Sequence, residues 1–197
     1  MIYQILNIND ISASEYARFY ALMSKEKQAR VNRYHFEADK KRSIAGELLA
    51  RRLLSEYCNI TPEQIVFGVK EKGKPFAEGV NAYFNISHSG NWALCAVDTA
   101  PVGVDIEVIQ EADRLLIQRV CNMEERAYIF NNSISSVAKN RRFLEVWTFK
   151  EACFKCVGSG LGDFSRFRFF DTSIKKKVLS EKEYIATIVS IEKEVEI

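Results

Sequence analysis

Histidine is scarce in this 197-residue sequence, which contains only His35 and His88. A structural zinc site needs four ligands, mostly Cys and His, so a site at Cys153 and Cys156 would need two more ligands, for which His35 and His88 are the only histidines. The pair also lies within a helical pattern, whereas a thioredoxin-like redox pair follows a strand. We therefore interpret these two thiols as buried and chemically inert.

Long apolar runs are missing too, and so is a basic amino-terminal segment followed by an apolar one. The first absence argues against a membrane-spanning helix, and the second argues against a secretory signal peptide. The five cysteines are odd in number and scattered through apolar surroundings, unlike a disulfide framework. These features predict a protein of the reducing cytoplasm.

A strong charge of either sign is also absent, because 28 basic and 26 acidic residues leave a net charge of +2. That balance is too mild to indicate nucleic-acid binding by itself. Hydrophobic residues make up 47% of the chain, which is enough for a packed core. The length suits one domain or two small ones.

Helical and strand-like patterns follow each other twice along the chain. Strands are predicted at 1–9, 65–69, 82–87, 92–97, 102–108, 164–170 and 184–191, and the longest helices at 39–57 and 136–157. Gly158 is well placed to end the second of these helices. The order of elements predicts an α+β fold of two similar halves, residues 1–108 and 109–197.

The segment VGVDIEV (102–108) is apolar at alternate positions, yet it carries Asp105 and Glu107. Side chains of a strand point to opposite faces with a period of two, so both carboxylates lie on one face. Like charges this close repel each other unless a cation lies between them or the face is fully wet. A metal site and a solvent-facing edge strand both remain open.

The helix over 136–157 carries a second group of charges, in the segment WTFKEACFKCVGSGLG. Glu151 and Lys155 lie four residues apart and share a helix face, with Lys150 beside them. One reading is an ordinary surface ion pair, but charges packed among so many aromatic residues need partners. If Glu151 faces the two strand carboxylates, the three acids form a ligand set suited to Mg²⁺.

Other candidate anion-binding groups are less specific, and each is also compatible with an ordinary surface turn or helix face. They are the strand end Ser87 and His88, the tight loop Gly73, Lys74 and Pro75, and the helical basic residues Lys27, Arg30 and Arg42. Nothing local indicates that the three helical residues converge.

Jointly, the segments GVDIE, WTFKEACFKCVGSGLG, FNISHSG and GKPF resemble the motifs of the 4′-phosphopantetheinyl transferases. The resemblance covers most of the chain, from about Ser24 to Gly162. The length and doubled layout are similar to the larger, monomeric, surfactin-synthetase-activating type, which serves peptide and polyketide synthases.

The resemblance implies an activity and a fold. Such enzymes transfer the phosphopantetheine arm of coenzyme A to a serine of an apo acyl, polyketide or peptidyl carrier protein, with Mg²⁺, and release adenosine 3′,5′-bisphosphate. The implied fold has two α+β halves related by pseudo-twofold symmetry, with coenzyme A in the cleft between them. We expect a monomer without nucleic-acid or membrane partners, and the choice of carrier stays open.

The resemblance also implies residue roles. Asp105, Glu107 and Glu151 would bind Mg²⁺, and Lys155 and Lys150 would neutralise phosphate oxygens. The coenzyme A site would further include Lys27, Arg30, Arg42, Ser87 and His88 near the 3′-phosphate, Gly73, Lys74 and Pro75 beside the adenine, and Asp105. The general base would be Glu151, Glu125 or a metal-bound water, although Glu125 with Asn122 also fits a capping box.

Larger members of this family continue past a strand like 184–191 into a further hairpin strand. We therefore expect that either the second sheet is one strand short or residues 184–197 are divided differently. Two rival functions remain open: another Mg²⁺-dependent phosphate enzyme, such as a phosphatase or nuclease, and a non-catalytic module that binds carrier proteins.

Overall fold

The computed structural model describes residues 1–70, 73–131 and 135–191, and the chain divides into two compact units, Met1–Thr99 and Ala100–Ile197. The first unit contains α1 (Ala13–Ala21), α2 (Lys25–Asn32), α3 (Glu37–Cys58), β1 (Ile2–Asn7), β2 (Phe67–Val69), β3 (Pro75–Ala77), β4 (Tyr83–Ser89) and β5 (Trp92–Asp98). Strand β5 lies between β1 and β4 in an antiparallel sheet, and β2 and β3 form a separate hairpin.

Helix α3 supplies the core of the first unit. Apolar residues recur along it at helical spacing, and Ile44, Leu48 and Leu49 are buried in one cluster with Ala93 and Cys95 of β5. The helix ends where Asn59 adopts the left-handed conformation, with φ of 54°. The amphipathic pattern in the sequence therefore predicted this helix correctly, to within two residues at its amino-terminal end.

The second unit also packs helices on a three-stranded antiparallel sheet. It contains α4 (Arg114–Val120), α5 (Met123–Ile129), α6 (Ser136–Val157), β6 (Val102–Val108), β7 (Lys175–Ser180) and β8 (Tyr184–Ser190). Strand β8 lies between β6 and β7. Strand β6 pairs with β8 along its whole length, so the division between the units falls before β6, whereas the sequence placed residues 102–108 at the end of the first half.

The sequence predicted α6 and β6 with the bounds that the structure shows, and the α+β fold is confirmed. Ser135 caps α6 by accepting a hydrogen bond from the Ala138 amide, and Gly158, with φ of 70°, ends the helix. Within the described ranges, no helix combines the length and the hydropathy that crossing a membrane requires.

The strand predicted at 164–170 is wrong. The segment forms a short 3-10 helix, Phe164–Arg166, followed by turns, because its aromatic rings pack against helix α6 instead of joining the sheet. The rings of Phe164 and Phe167 lie 5.4 and 5.0 Å from that of Phe154. The third strand of the sheet is the lysine-rich β7, which the sequence did not predict. The question of a further strand concerns residues 192–197, which lie outside the described residues.

Gly103 is the point at which α6 comes closest to β6. A Cβ atom at this position would lie 1.9 Å from the carbonyl oxygen of Ala152 and 2.5 Å from the amide nitrogen of Cys156. Because residues 103, 105 and 107 share one face of the strand, the helix lies over the face that carries the two carboxylates. Only glycine allows this approach.

We expect Gly103→Ala to lower the free energy of unfolding by about 3 kcal/mol or more, because the added methyl group must push helix and strand apart. Urea unfolding measures the change.

The matched control is Gly162→Ala, where the new Cβ would meet only a ring carbon of Phe154, at 3.8 Å. We expect that variant to stay within about 0.5 kcal/mol of the wild type. Equal stability of the two variants would contradict the close contact at Gly103.

Candidate active site

Helix α6 places an ammonium group in direct contact with one of the two strand carboxylates. Lys155 Nζ lies 2.6 Å from Asp105 Oδ1. The Asp105 side chain is only 4% exposed, whereas that of Lys155 is 31% exposed. A buried carboxylate needs a charged or hydrogen-bonding partner, and in this structure Lys155 is one such partner of Asp105.

The three acids proposed from the sequence converge. Burial raises the pKa of the Glu151 carboxyl to about 7, and the negative charges of Asp105 and Glu107 act in the same direction. The positive charge of Lys155 opposes this increase in pKa. The structure therefore brings Asp105, Glu107, Glu151 and Lys155 close enough that the charge of each affects the protonation of Glu151.

The donor chemistry of this cluster fits a hard divalent cation. Asp105, Glu107 and Glu151 offer carboxylate oxygens, which are the ligands that Mg²⁺ takes from proteins, usually together with waters and phosphates. The single charge of Lys155 is too small to offset three ionised carboxylates. Among the described residues, however, no group of three or more His, Cys, Asp or Glu side chains is already arranged to hold a metal ion. The ligand type is present, and the arrangement is that of an ion pair with Lys155.

Lys150 and Glu125 form a different and fully buried ion pair. Lys150 Nζ lies 2.9 Å from Glu125 Oε2, and both side chains are 0% exposed. Lys150 also donates a hydrogen bond to the carbonyl oxygen of Phe164, and the Phe169 amide donates to Glu125 Oε1. The pair thus joins α5 and α6 to the aromatic segment that follows α6.

The capping box predicted for Glu125 is present. Its carboxylate accepts a hydrogen bond from the backbone N–H of Asn122 at 2.8 Å, and the side-chain oxygen of Asn122 accepts one from the backbone N–H of Glu125 at 2.9 Å. Together with the pairing to Lys150, this enclosure favours a structural role for Glu125 over that of a general base. The two lysines of the α6 motif therefore have different partners, since Lys150 pairs with Glu125 in the core and Lys155 pairs with Asp105 of β6.

In the first unit, Lys27 belongs to a network centred on Glu47. Glu47 is 2% exposed and accepts hydrogen bonds from Lys27 Nζ at 2.6 Å and from Arg51 Nε at 2.7 Å. Arg51, 4% exposed, also donates to the carbonyl oxygens of Leu22 and Ile65. Sequence reasoning missed this network, although charges at positions 47 and 51, four residues apart within an apolar helix, were a signal.

Arg42 lies against the hairpin that carries His88. Its guanidinium donates to the carbonyl oxygen of Gly90, in the turn between β4 and β5, at 2.8 Å. Its other described partner is the Asp39 carboxylate. His88 is exposed near the end of β4, and Ser87 beside it is buried. The structure therefore brings together two of the predicted anion-binding positions, Arg42 and the His88 hairpin.

The remaining predicted positions lie on exposed or half-buried surface. Arg30 is exposed on α2, and Gly73, Lys74 and Pro75 lie at the β2–β3 hairpin. Gly73 has a positive φ of 81°, and its amide donates to the carbonyl oxygen of Lys70 at 2.8 Å. This turn matches the tight loop predicted from the sequence.

The family models and the related proteins that match this chain all belong to one family. Residues 10–100 match the family model described as 4′-phosphopantetheinyl transferase, N-terminal, and residues 101–194 match that of the 4′-phosphopantetheinyl transferase superfamily. The chain is 39% identical to the 4′-phosphopantetheinyl transferase gsp of Aneurinibacillus migulanus over 153 residues, which is 78% of this chain and 63% of that protein.

Two further relatives extend the likeness. The chain is 36% identical to the 4′-phosphopantetheinyl transferase psf-1 of Bacillus pumilus over 142 residues, covering 71% of this chain and 59% of that protein. It is 31% identical to the 4′-phosphopantetheinyl transferase Sfp of Bacillus subtilis strain 168 over 161 residues, covering 81% and 71%. The chain thus spans less than two thirds of the length of the gsp and psf-1 proteins.

Glu151 leads to a prediction about pH. Its pKa is about 7 in the folded protein, against an ordinary value of 4.5, so the folded state binds the proton more tightly. Stability from this group is therefore fully present below about pH 4.5 and is lost as the pH rises through 7. Without divalent cations, we expect Glu151→Gln to raise the free energy of unfolding at about pH 8 by about 1 kcal/mol, allowing for solvent screening.

Urea unfolding at about pH 4 and about pH 8 tests this expectation. The advantage of the glutamine variant should disappear at the lower pH, where both side chains are neutral. Equal stability of the variant and the wild type at the higher pH would contradict the raised pKa of Glu151.

For the buried pair, we expect Lys150→Met to lower the free energy of unfolding by about 3–5 kcal/mol, because it leaves the Glu125 carboxylate buried without its cation. Adding Glu125→Gln to that variant should recover part of the loss, which a double-mutant cycle measures. Lys40→Met is the matched control, because Lys40 pairs with the largely exposed Glu37, and its effect should be several times smaller. Additive effects of the two core substitutions would contradict a direct interaction.

Proposed function

The chain belongs to the 4′-phosphopantetheinyl transferase superfamily, and from this premise we propose that it transfers phosphopantetheine from coenzyme A to a carrier protein. The acceptor is the serine hydroxyl of an apo acyl, polyketide or peptidyl carrier. The second product is adenosine 3′,5′-bisphosphate. Because the chain spans only part of the length of its relatives, this activity is a proposal for the chain itself.

One observation carries the proposal. Helix α6 places Glu151 and Lys155 at the face of β6 that carries Asp105 and Glu107, and Lys155 contacts Asp105 directly. Three carboxylates and the ammonium group of one partly exposed lysine are suited to a phosphate substrate that brings a divalent cation with it. Phosphoryl transfer depends on positioning and charge neutralisation more than on covalent help from the protein.

Asp105, Glu107 and Glu151 are the residues that would hold Mg²⁺. When bound there, the ion would polarise the phosphate under attack and stabilise the bisphosphate leaving group. Lys155 would neutralise phosphate oxygens, since its side chain is partly exposed and its ammonium group lies beside Asp105.

The proton of the attacking serine needs an acceptor. We assign this role to Glu151, because its carboxylate belongs to the cluster with Asp105, Glu107 and Lys155 beside which the phosphate would bind. As the proton moves to Glu151, the serine oxygen forms its bond to phosphorus and the bond from phosphorus to the leaving bisphosphate oxygen breaks. Glu125, the other candidate from the sequence, is enclosed and paired with Lys150.

Residues of the first unit would bind the rest of coenzyme A. By family resemblance, the basic residues and the His88 hairpin serve the 3′-phosphate, and the Gly73–Pro75 turn serves the adenine. The bond from Arg42 to Gly90 supports this assignment, because it joins a guanidinium to the hairpin that carries His88. Lys27 would serve the phosphate with its ammonium group, which Glu47 holds in place.

The cellular compartment, oligomeric state and partners are also part of the proposal. We infer a cytoplasmic protein, and the five cysteines, all free thiols in this structure, agree with a reducing compartment. We further propose that it acts as a monomer, with coenzyme A and carrier proteins as its partners rather than nucleic acid or membranes.

Intact-protein mass spectrometry tests the activity. An apo acyl carrier protein incubated with this protein, coenzyme A and Mg²⁺ should gain one phosphopantetheine group, and EDTA should prevent the gain. Fatty-acid, polyketide and peptide carriers would be tried in parallel, since the carrier is unknown. If none of the three gains mass while the transferase is folded, the proposal is wrong for this chain.

We expect Asp105→Asn to slow the transfer by at least about a hundredfold, because it removes a charged ligand of the metal ion. Such an ion stabilises the charge of the transition state by several kcal/mol. Glu181→Gln is the matched control, since it removes one acid from an exposed turn of the same unit. Both variants would be compared with the wild type in the mass-spectrometric assay at equal concentration. Near-normal transfer by Asp105→Asn would remove Asp105 from the metal site.

A further inference from the structure

We propose that Lys155 exchanges partners, pairing with Asp105 in the free protein and with a coenzyme A phosphate when the substrate binds. In this way Lys155 couples the binding of the divalent cation to the binding of coenzyme A. The inference rests on the proposed function, and it adds a role for Lys155 before any chemical step.

The geometry of the ion pair supports the pairing of Lys155 with Asp105 in the free protein. Lys155 Nζ lies 2.6 Å from Asp105 Oδ1, which is direct contact. Asp105 is almost fully buried, so it needs a counter-ion there, whereas nearly a third of the Lys155 side chain is exposed. One partner is therefore held in place, and the other can reach solvent on a flexible four-carbon chain.

The charges explain why the pair must open. A lysine ammonium at Asp105 occupies one of the carboxylates that the divalent cation needs, and it repels that cation. The cation therefore binds weakly while Lys155 remains in place. A phosphate of coenzyme A offers the ammonium another anion nearby, and its departure frees Asp105 for the cation. By linkage, each ligand must then strengthen the binding of the other by the same factor.

The other lysine of the α6 motif is not placed for this exchange. Lys150 is 0% exposed and lies 2.9 Å from the equally buried Glu125. It also donates to the carbonyl oxygen of Phe164. Moving it would break a fully enclosed network, so the exchange is specific to Lys155.

Isothermal titration calorimetry with MgCl₂, with and without coenzyme A, tests the coupling without relying on turnover. In the wild type, we expect coenzyme A to strengthen Mg²⁺ binding by about tenfold or more, within the range of known couplings. In Lys155→Met, Mg²⁺ alone should bind about tenfold more tightly than to the wild type, and coenzyme A should strengthen Mg²⁺ binding about tenfold less than in the wild type, leaving only the contribution of its own phosphates.

Lys182→Met is the matched control, because it removes the same charge from the exposed turn between β7 and β8 of the same unit. This variant should keep the wild-type affinities and coupling to within about twofold, since exposed charges at a distance are screened by salt. If it changed Mg²⁺ binding as much as Lys155→Met does, net charge rather than partner exchange would be the cause, and the inference would fail.

A second measurement uses the wild type alone, in case Lys155→Met does not fold. The ¹⁵N signal of the Lys155 ammonium group, assigned by its loss in Lys155→Arg, should shift when coenzyme A is added without metal. An unchanged signal in the presence of bound coenzyme A would show that Lys155 keeps its partner, and that result would overturn the inference.

The outcomes separate this inference from the proposed function. If Lys155→Met binds Mg²⁺ no more tightly than the wild type, while the wild type modifies carrier proteins, partner exchange is wrong and the transferase activity stands. If the wild type neither binds coenzyme A nor modifies any carrier, the proposed function fails, and the inference fails with it.

Discussion

The close contact between α6 and β6 at Gly103 is the constraint on which the candidate site depends. With no side chain at that position, the helix backbone meets the strand at Ala152 and Cys156. Glu151 and Lys155, each one residue before a contact position, then lie beside the carboxylates of the strand. A larger residue at 103 would move α6 outwards and separate Lys155 from Asp105. The chemistry of the site is thus set by packing rather than by loops.

Burial divides the charged residues in the α6 motif and their partners into two classes. Lys150 and Glu125 are fully enclosed and satisfy each other together with backbone groups of the aromatic segment. Lys155 and Glu151 lie at the edge of the core, where charge can respond to a ligand. The same principle holds in the first unit, where Glu47 and Arg51 are enclosed and Lys27 keeps an exposed part. The fully enclosed pair of Lys150 and Glu125 thus serves structure, whereas Lys155 and Lys27, which keep exposed parts, remain available for binding.

Local patterns predicted some elements well and failed for others. Helix α6 and strand β6 have clear periodicity, with a serine cap and a glycine stop at the ends of the helix, so the sequence predicted their bounds correctly. The segment 164–170 has alternating aromatic residues and looks like a strand, but its rings pack on α6. Strand β7 carries three consecutive lysines, and its place at the edge of the sheet depends on pairing with β8, which no local pattern reveals.

The sequence by itself determined the ingredients of the site: two carboxylates on one strand face, Glu151 and Lys155 on one helix face, and a motif set specific to one family. Spacing within a helix or strand is a local property, so it can be recognised from the amino-acid sequence alone. Only the tertiary structure decided which partner each charge has. Lys150 and Lys155 look alike in the motif, yet one pairs with Glu125 and the other with Asp105. Those pairings join residues far apart in the chain, and the packing of α6 against its neighbours sets them.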